Sequence, residues 1–137
     1  SYCCKLIPMT FSYQPKPSKV LMCDFRGYII PEINKIRPVV IISAHPNNKK
    51  LVTVIPLSTT EPLPLLDHHY EFTSPLDPQK KCWAKCDLVY SISIERLKRC
   101  TIKDEKGFSQ HTTNLKLSSD DYRNIRQCIA NYLGFKL

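Results

Sequence analysis

Glycine is scarce, with only three residues in a chain of 137. Loops that cradle phosphates through backbone N–H groups are built on glycine, and neither a GxxxxGKS/T segment nor a GxGxxG segment occurs. HExxH is missing too, and nucleotide-binding enzymes are poor alternatives. No apolar run approaches the ~20 residues that a membrane-spanning helix requires. The opening SYCCKLIPMTF is short and broken by Pro8, which makes it a poor signal sequence. Met9 is a candidate start, with residues 1–8 an upstream extension. No internal repeat is present. Acidic residues are the remaining shortage: 12 Asp and Glu against 20 Lys and Arg leave a net charge of +8. That excess attracts polyanions, nucleic acid first among them, although an ordinary basic protein would carry it as well.

What is present describes one globular domain. The length suits a single core, and 42% apolar with 23% charged residues argues against disorder. Seven cysteines, an odd and scattered set, fit reduced thiols in a cytoplasmic protein better than a secreted disulfide framework. Cys82 and Cys86, with His68 and His69 upstream, make zinc conceivable. Neither cysteine belongs to a CxxC pair, however, and buried free thiols are the better reading, so no metal or other cofactor is expected.

The chain is organised around Lys35 to Thr60, KIRPVVIISAHPNNKKLVTVIPLSTT. Val- and Ile-rich runs at Pro38–Ser43 and Leu51–Ile55, separated by Pro46, Asn47 and Asn48, predict an antiparallel hairpin. In such a hairpin the start of one strand lies beside the end of the next, so Arg37 should meet Ser58 and Thr59. A permanent cation beside neutral hydroxyls suits an anion, most simply a phosphate.

Elsewhere, residues 1–14 show no periodicity and read as a flexible tail, leaving residues 15–137 as the domain. Lys19–Phe25 reads as a strand and Arg26–Ile36 as a loop. That loop carries Glu32 and Lys35, with Tyr28 and Ile29 either exposed or folded over the sheet. After an irregular, proline-broken connection at Glu61–Leu66, His68–Phe72 reads as a strand. Adjacent strand residues point to opposite faces, so at most one of His68 and His69 should face a given site, where an imidazole can donate or accept protons. A polar loop leads to Cys82–Ile92, which reads as one strand with Lys85 and Asp87 on one face. Lys98, Arg99, Lys103 and Lys106 form a basic stretch that is either a solvated connection or a track for phosphates. Lys106–Asn114 reads as a turn or irregular strand end. The last segment is a helix: Ser118 caps it, and Asp120 and Asp121 suit its positive end. Tyr122, Ile125, Ile129, Tyr132 and Leu133 share its apolar face, and Gly134 ends it.

Several of these stretches, in this order, resemble the MazF/PemK (Kid) family of toxin endoribonucleases: RPVVIIS, LVTVIPLSTT, WAKCD and the SxxRL segment at Ser93–Leu97. The likeness runs from about Pro15 to the C-terminus. It implies a mostly β, α+β fold, an SH3-like antiparallel barrel with a C-terminal helix, usually a symmetric homodimer with its RNA groove near the subunit interface. The implied reaction is sequence-specific, metal-independent cleavage of single-stranded RNA such as mRNA, in which a ribose 2′-hydroxyl attacks its own phosphate. A cognate antitoxin is implied as partner, commonly threading an acidic segment through the groove.

On this resemblance Arg37 stabilises the transition state and Ser58 stands where family members have a threonine, with Thr59 next in line. Asp87 is the base or its orienter. Lys35, Lys85, His68, His69 and Glu32 are candidates for RNA contact. Two departures stand out. PemK-type members carry Arg-Cys-Asp where this chain has Lys85-Cys86-Asp87, which keeps the charge but loses the bidentate fork. Some members carry a histidine in the loop before the hairpin, and none lies between Asp24 and Arg37 here. These departures keep a non-catalytic RNA-binding module open; the other alternative is a protein-targeting toxin of the same fold that poisons gyrase, against which RPVV, LSTT and WAKCD argue.

Overall fold

Two long strands carry the architecture of the structure, a computed structural model that describes residues 11–136. Strands β2 (Ile36–Ala44) and β3 (Leu51–Ser58) form the expected antiparallel hairpin, in the register Val39↔Pro56, Val40↔Ile55 and Ile41↔Val54. At its turn the Nδ1 atom of His45 accepts the N–H groups of Asn47 and Asn48, at 3.1 and 2.9 Å. A register shift between Ile41 and Ser43 marks a bulge, which bends β2.

On one side β1 (Val20–Asp24) pairs with β2, and the short β7 (Leu97–Lys98) pairs with β1. On the other side β3 divides its edge between two partners. Its residues Leu51 to Val54 pair with β6 (Tyr90–Ser93), whereas Leu57 and Ser58 pair with β5 (Lys81–Lys85), which in turn pairs with β4 (His69–Thr73). A strand that passes from one neighbour to another along a single edge curls the sheet. A 3-10 turn at Ile94–Arg96 links β6 to β7. The result is a mostly β fold with one C-terminal helix, α1 (Ser119–Leu133). No helix among the described residues is long and apolar enough to cross a membrane.

The core forms two clusters. Val20, Val40, Ile55, Leu57, Phe72, Ala84 and Cys86 pack with Ile125 and Ile129 of α1, while Leu21, Phe25, Val39, Ile41, Val54 and Ile92 pack with Phe11. Alternation along β1 and β2 sends successive side chains to different clusters, so both faces of these strands are apolar. Helix α1 begins as the sequence predicts, with Ser118 Oγ accepting the Asp121 N–H at 3.1 Å, and ends at Gly134 with φ 84°. Its apolar stripe is covered only in part: Ile125 is fully buried, but Tyr132 and Leu133 remain 50% exposed.

Three expectations are corrected. Cys82–Ile92 is not one strand: the chain turns after Lys85, with the Leu88 N–H bonded to Lys85 O at 3.1 Å. The turn lets the same segment pair with both halves of β3, and it removes Asp87 from the strand face of Lys85. The polar stretch after residue 99 forms a hairpin of its own, β8 (Cys100–Lys103) with β9 (Ser109–Thr112). Residues 11–14 are held rather than loose, since Phe11 is 5% exposed and Gln14 Nε2 donates to Leu51 O at 2.7 Å. Cys3, Cys4, Met9 and the remainder of the expected tail lie outside the described residues.

Candidate active site

The hairpin register carries Arg37 and Ser58 to the same end of the sheet, away from the Asn47–Asn48 turn. A cavity of about 220 Å3 opens there, lined by Arg37, Ser58 and Thr59 together with Ser74, Leu76 and Cys82. Its wall is stiff. Ser74 is 4% exposed, its N–H donates to Lys80 O at 2.8 Å, and its Oγ accepts the Leu76 N–H at 3.2 Å. Ser58 is 6% exposed and bonds back to its own loop, accepting the Thr60 N–H at 3.1 Å and donating to Thr60 O at 3.3 Å. Thr59 is exposed. Arg37 is the one charged residue of the lining, and burial pushes the Cys82 thiol up to about 12, so it stays neutral. The cavity therefore offers a permanent cation and hydroxyl groups, but neither a carboxylate nor an imidazole.

A second cluster assembles at the other end of β5. The Cys86 N–H bonds His68 O at 3.0 Å and His69 faces Lys85 in register, which brings both histidines to the turn that carries Asp87. His68 Nε2 lies 3.6 Å from Asp87 Oδ2, while Asp87 Oδ1 is buried with no hydrogen-bond partner. The histidine rings are 4.4 Å apart, and Tyr132 of α1 closes on His68 edge to face at 5.1 Å. Burial, reinforced by His68 and Lys85, lowers the pKa of His69 against the opposing pull of Asp87. The Nδ1 atom of His69 accepts the Leu66 N–H at 3.0 Å, which places the proton of the neutral ring on Nε2.

One donor atom each from His68, His69 and Asp87 lies within 4.8 Å of the others, a set that is chemically apt for a divalent ion. The tautomer of His69 opposes that use, because its free nitrogen bears the proton. The zinc arrangement with Cys82 and Cys86 does not form. Both thiols are buried in the core, and Cys86 Sγ points to the backbone oxygens of Ala84 and Ile125.

The structure thus brings Arg37, Ser58 and Thr59 together and gathers Lys85, Asp87, His68 and His69 separately. From Cys82 to Lys85 is three steps of β5, roughly 10 Å at about 3.4 Å per residue. One pocket holding Arg37, Lys85 and Asp87 is not what forms. Contrary to strand alternation, both histidines reach the same cluster, because His68 precedes β4 and is free of its pleat. Glu32 instead closes the 26–36 loop, accepting the Ile29 N–H at 2.7 Å, and Lys35 is exposed beside the hairpin's start. Tyr28 packs on Phe25 and Tyr90 under the Arg96 guanidinium, whereas Ile29 and Ile30 are about three-quarters exposed, at 76% and 75%. Sequence reasoning missed Ser74, Leu76 and Cys82 as cavity lining, since pairing of β5 with Ser58 is what delivers them and no local pattern announces it.

Comparison with known proteins agrees with this architecture. The family model described as a PemK-like, MazF-like toxin of type II toxin-antitoxin systems matches residues 16–133. The Escherichia coli (strain K12) protein YifN is 29% identical over 146 aligned positions, covering 88% of this chain and 95% of that protein. Among solved structures, an endoribonuclease bound to its cognate antitoxin from a mycobacterial species aligns with a TM-score of 0.61 at 18% identity, covering 90% of this chain and 98% of that one. MazF from Deinococcus radiodurans aligns with a TM-score of 0.61 at 14% identity, over 90% of this chain and 100% of that one. At such identities the structural likeness speaks for the fold, and the family match speaks for kinship. The chain belongs to the PemK-like, MazF-like toxin family of type II toxin-antitoxin systems.

Proposed function

We propose that the protein is a sequence-specific endoribonuclease that cleaves single-stranded RNA without a metal. The observation that carries this reading is the cavity that joins Arg37 to Ser58 and Thr59 at the open end of the hairpin. A phosphodiester seated there meets a guanidinium whose planar fork donates several hydrogen bonds to phosphate oxygens. In the reaction the 2′-oxygen bonds to phosphorus, the bond from phosphorus to the 5′-oxygen breaks, and the products are a 2′,3′-cyclic phosphate and a 5′-hydroxyl. Arg37 stabilises the charge that grows on the phosphate oxygens, an effect commonly worth about 3–4 kcal/mol for one well-aimed donor.

Because the Ser58 hydroxyl is engaged with Thr60, its role is to hold the strand end, and Thr59 presents the hydroxyl that meets the substrate. The cavity has no group suited to take the 2′-proton. Asp87 with His68, roughly 10 Å along β5, takes that proton through bridging water while solvent protonates the departing 5′-oxygen, and Lys85 in the same cluster holds the RNA along β5. An acidic antitoxin segment competing for the same surface fits the +8 charge. A homodimer completing the groove belongs to the same reading.

A second reading has an observation of its own. A phosphate cavity without a base is what a non-catalytic RNA-binding module would retain. One experiment separates the two: incubation of the protein and of Arg37→Ala with a long single-stranded RNA in EDTA, followed by mapping of product ends. Cleavage by the parent alone, leaving 5′-hydroxyl ends, is the expected result. Equal cleavage by both would refute the site, and salt-sensitive binding without cleavage would establish the binding module.

A further inference from the structure

The β8–β9 hairpin projects beside the cavity. The Lys103 N–H donates to Leu76 O at 3.0 Å, and Leu76 lines the cavity that contains Arg37. The edge of β8 is therefore fastened to the wall of the phosphate cavity, and whatever the hairpin holds is continuous with what the cavity holds.

Its surface has the composition of a nucleic-acid contact. Arg99, Lys103 and Lys106 are all exposed, and among the described residues none of them lies within salt-bridge distance of a carboxylate. The turn also carries two acids, Asp104 and the exposed Glu105, and Asp104 is engaged with the backbone: its Oδ1 accepts the N–H groups of Lys106 and Phe108, both at 2.9 Å. Two further bonds, Asp104 N–H to Phe108 O and Gly107 N–H to Asp104 O, each 3.0 Å, close the turn, with Gly107 at φ 86° where other residues are strained.

Phe108 is consequently presented by a fixed backbone, and it is 69% exposed. A lone exposed apolar side chain is unremarkable. An aromatic ring on a pinned turn, flanked by the unpaired cations Lys103 and Lys106 and fastened to the cavity wall, is the combination that binds single strands: bases stack on the ring while the cations track the backbone.

We infer that the β8–β9 hairpin is a second RNA subsite, in which Phe108 stacks on an unpaired base flanking the cleaved phosphate and Lys103 and Lys106 hold the neighbouring phosphates. The inference rests on the reading of the cavity as an RNA site. It adds that recognition extends past the cavity on the side of Leu76, so that RNA too short to reach the hairpin binds without its help.

Fluorescence anisotropy of the full chain with two labelled single-stranded RNAs, about 4 and about 16 nucleotides long, tests this, since single-strand sites span roughly that range. Phe108→Ala is expected to weaken the longer RNA roughly 5- to 150-fold, the span of one lost base stack, and to leave the shorter one within about twofold. Phe108→Trp should restore the loss. The double variant Lys103→Ala/Lys106→Ala should reduce the magnitude of the salt slope by about 1.4, at roughly 0.7 per contact for single strands. Equal binding of the longer RNA by the parent and Phe108→Ala would overturn the subsite. So would equal loss on both RNAs, which would mean that the variant acts through the cavity wall. Loss of an acidic peptide but not of RNA would assign the hairpin to a protein partner instead. Failure of the parent to bind either RNA would overturn the cavity reading and the subsite together, and is told apart from the other outcomes by the parent's own curve.

Discussion

The cavity at Arg37 and the cluster at Asp87 occupy the two ends of one strand, β5, and are built from opposite chemistry. The first holds a guanidinium, hydroxyl groups and a thiol kept neutral by burial. The second holds two imidazoles and a carboxylate with one buried, unpartnered oxygen. The first can stabilise charge but cannot move a proton; the second can move a proton, and Lys85 is the cation nearest to it in register. On the proposed reading, phosphoryl transfer from an RNA strand needs both tasks, and the two ends of β5 would divide them. The lesson is about division of labour. Loss of one end should cost binding and charge stabilisation, and loss of the other should change how the rate depends on pH.

Variants can sharpen that contrast. The largest effect is expected from Arg37→Ala, whose cleavage should fall about 10²- to 10³-fold at every pH. Asp87→Asn is close behind, falling about 10²-fold, at the low end for general acid–base groups. Unlike Arg37→Ala it should leave RNA affinity nearly intact and flatten the pH–rate profile. If the two variants lose affinity alike, the division fails.

Within the cavity the hydroxyls divide in the same way. Thr59→Ala should slow cleavage about tenfold without changing stability, the effect of one hydrogen bond to a charged group. Ser58→Ala should instead cost about 1 kcal/mol in urea denaturation, because the Thr60 N–H and C=O lose their partner. Reversal of these two results would return the substrate hydroxyl to Ser58.

The smallest effect belongs to His69. Its folded pKa is lowered from 6.5, so between pH 6.5 and that lower value the unfolded chain binds more protons than the folded one. The stabilising contribution is complete above pH 6.5 and is lost as the pH falls toward the folded pKa. His69→Gln should remove this acid-side loss, measured as a flatter dependence of the melting temperature on pH. The change should be modest, since the ring is partly exposed.

The two ends also differ in how legible they were. Arg37 and Ser58 could be paired from sequence because they belong to one hairpin, whose strands and turn are local and whose register is governed by alternating apolar residues. The cluster was not legible as a cluster. His68, His69 and Asp87 were each candidates, but strand alternation separated the two histidines and placed Asp87 beside Lys85. His68 lies before β4 and escapes its pleat, and the turn after Lys85 takes Asp87 off that face; the turn exists because β3 offers an edge to β5 and again to β6. The β8–β9 hairpin was hidden for another reason: its strands are mostly exposed and polar, so no apolar period marks them.

By itself the sequence determined what is local or periodic. The β2–β3 hairpin, the capped helix α1, the surplus of positive charge and the family motifs all arise from patterns within a few residues or from simple counts. Tertiary structure alone decided which separate segments share an edge: that Ser74, Leu76 and Cys82 wall the Arg37 cavity, that both histidines meet Asp87, and that β8 is fastened to Leu76. The physical reason is that backbone N–H and C=O groups at a strand edge accept any extended partner of the right length. Which partner arrives is chosen by burial of the whole core, not by the residues that end up at the site.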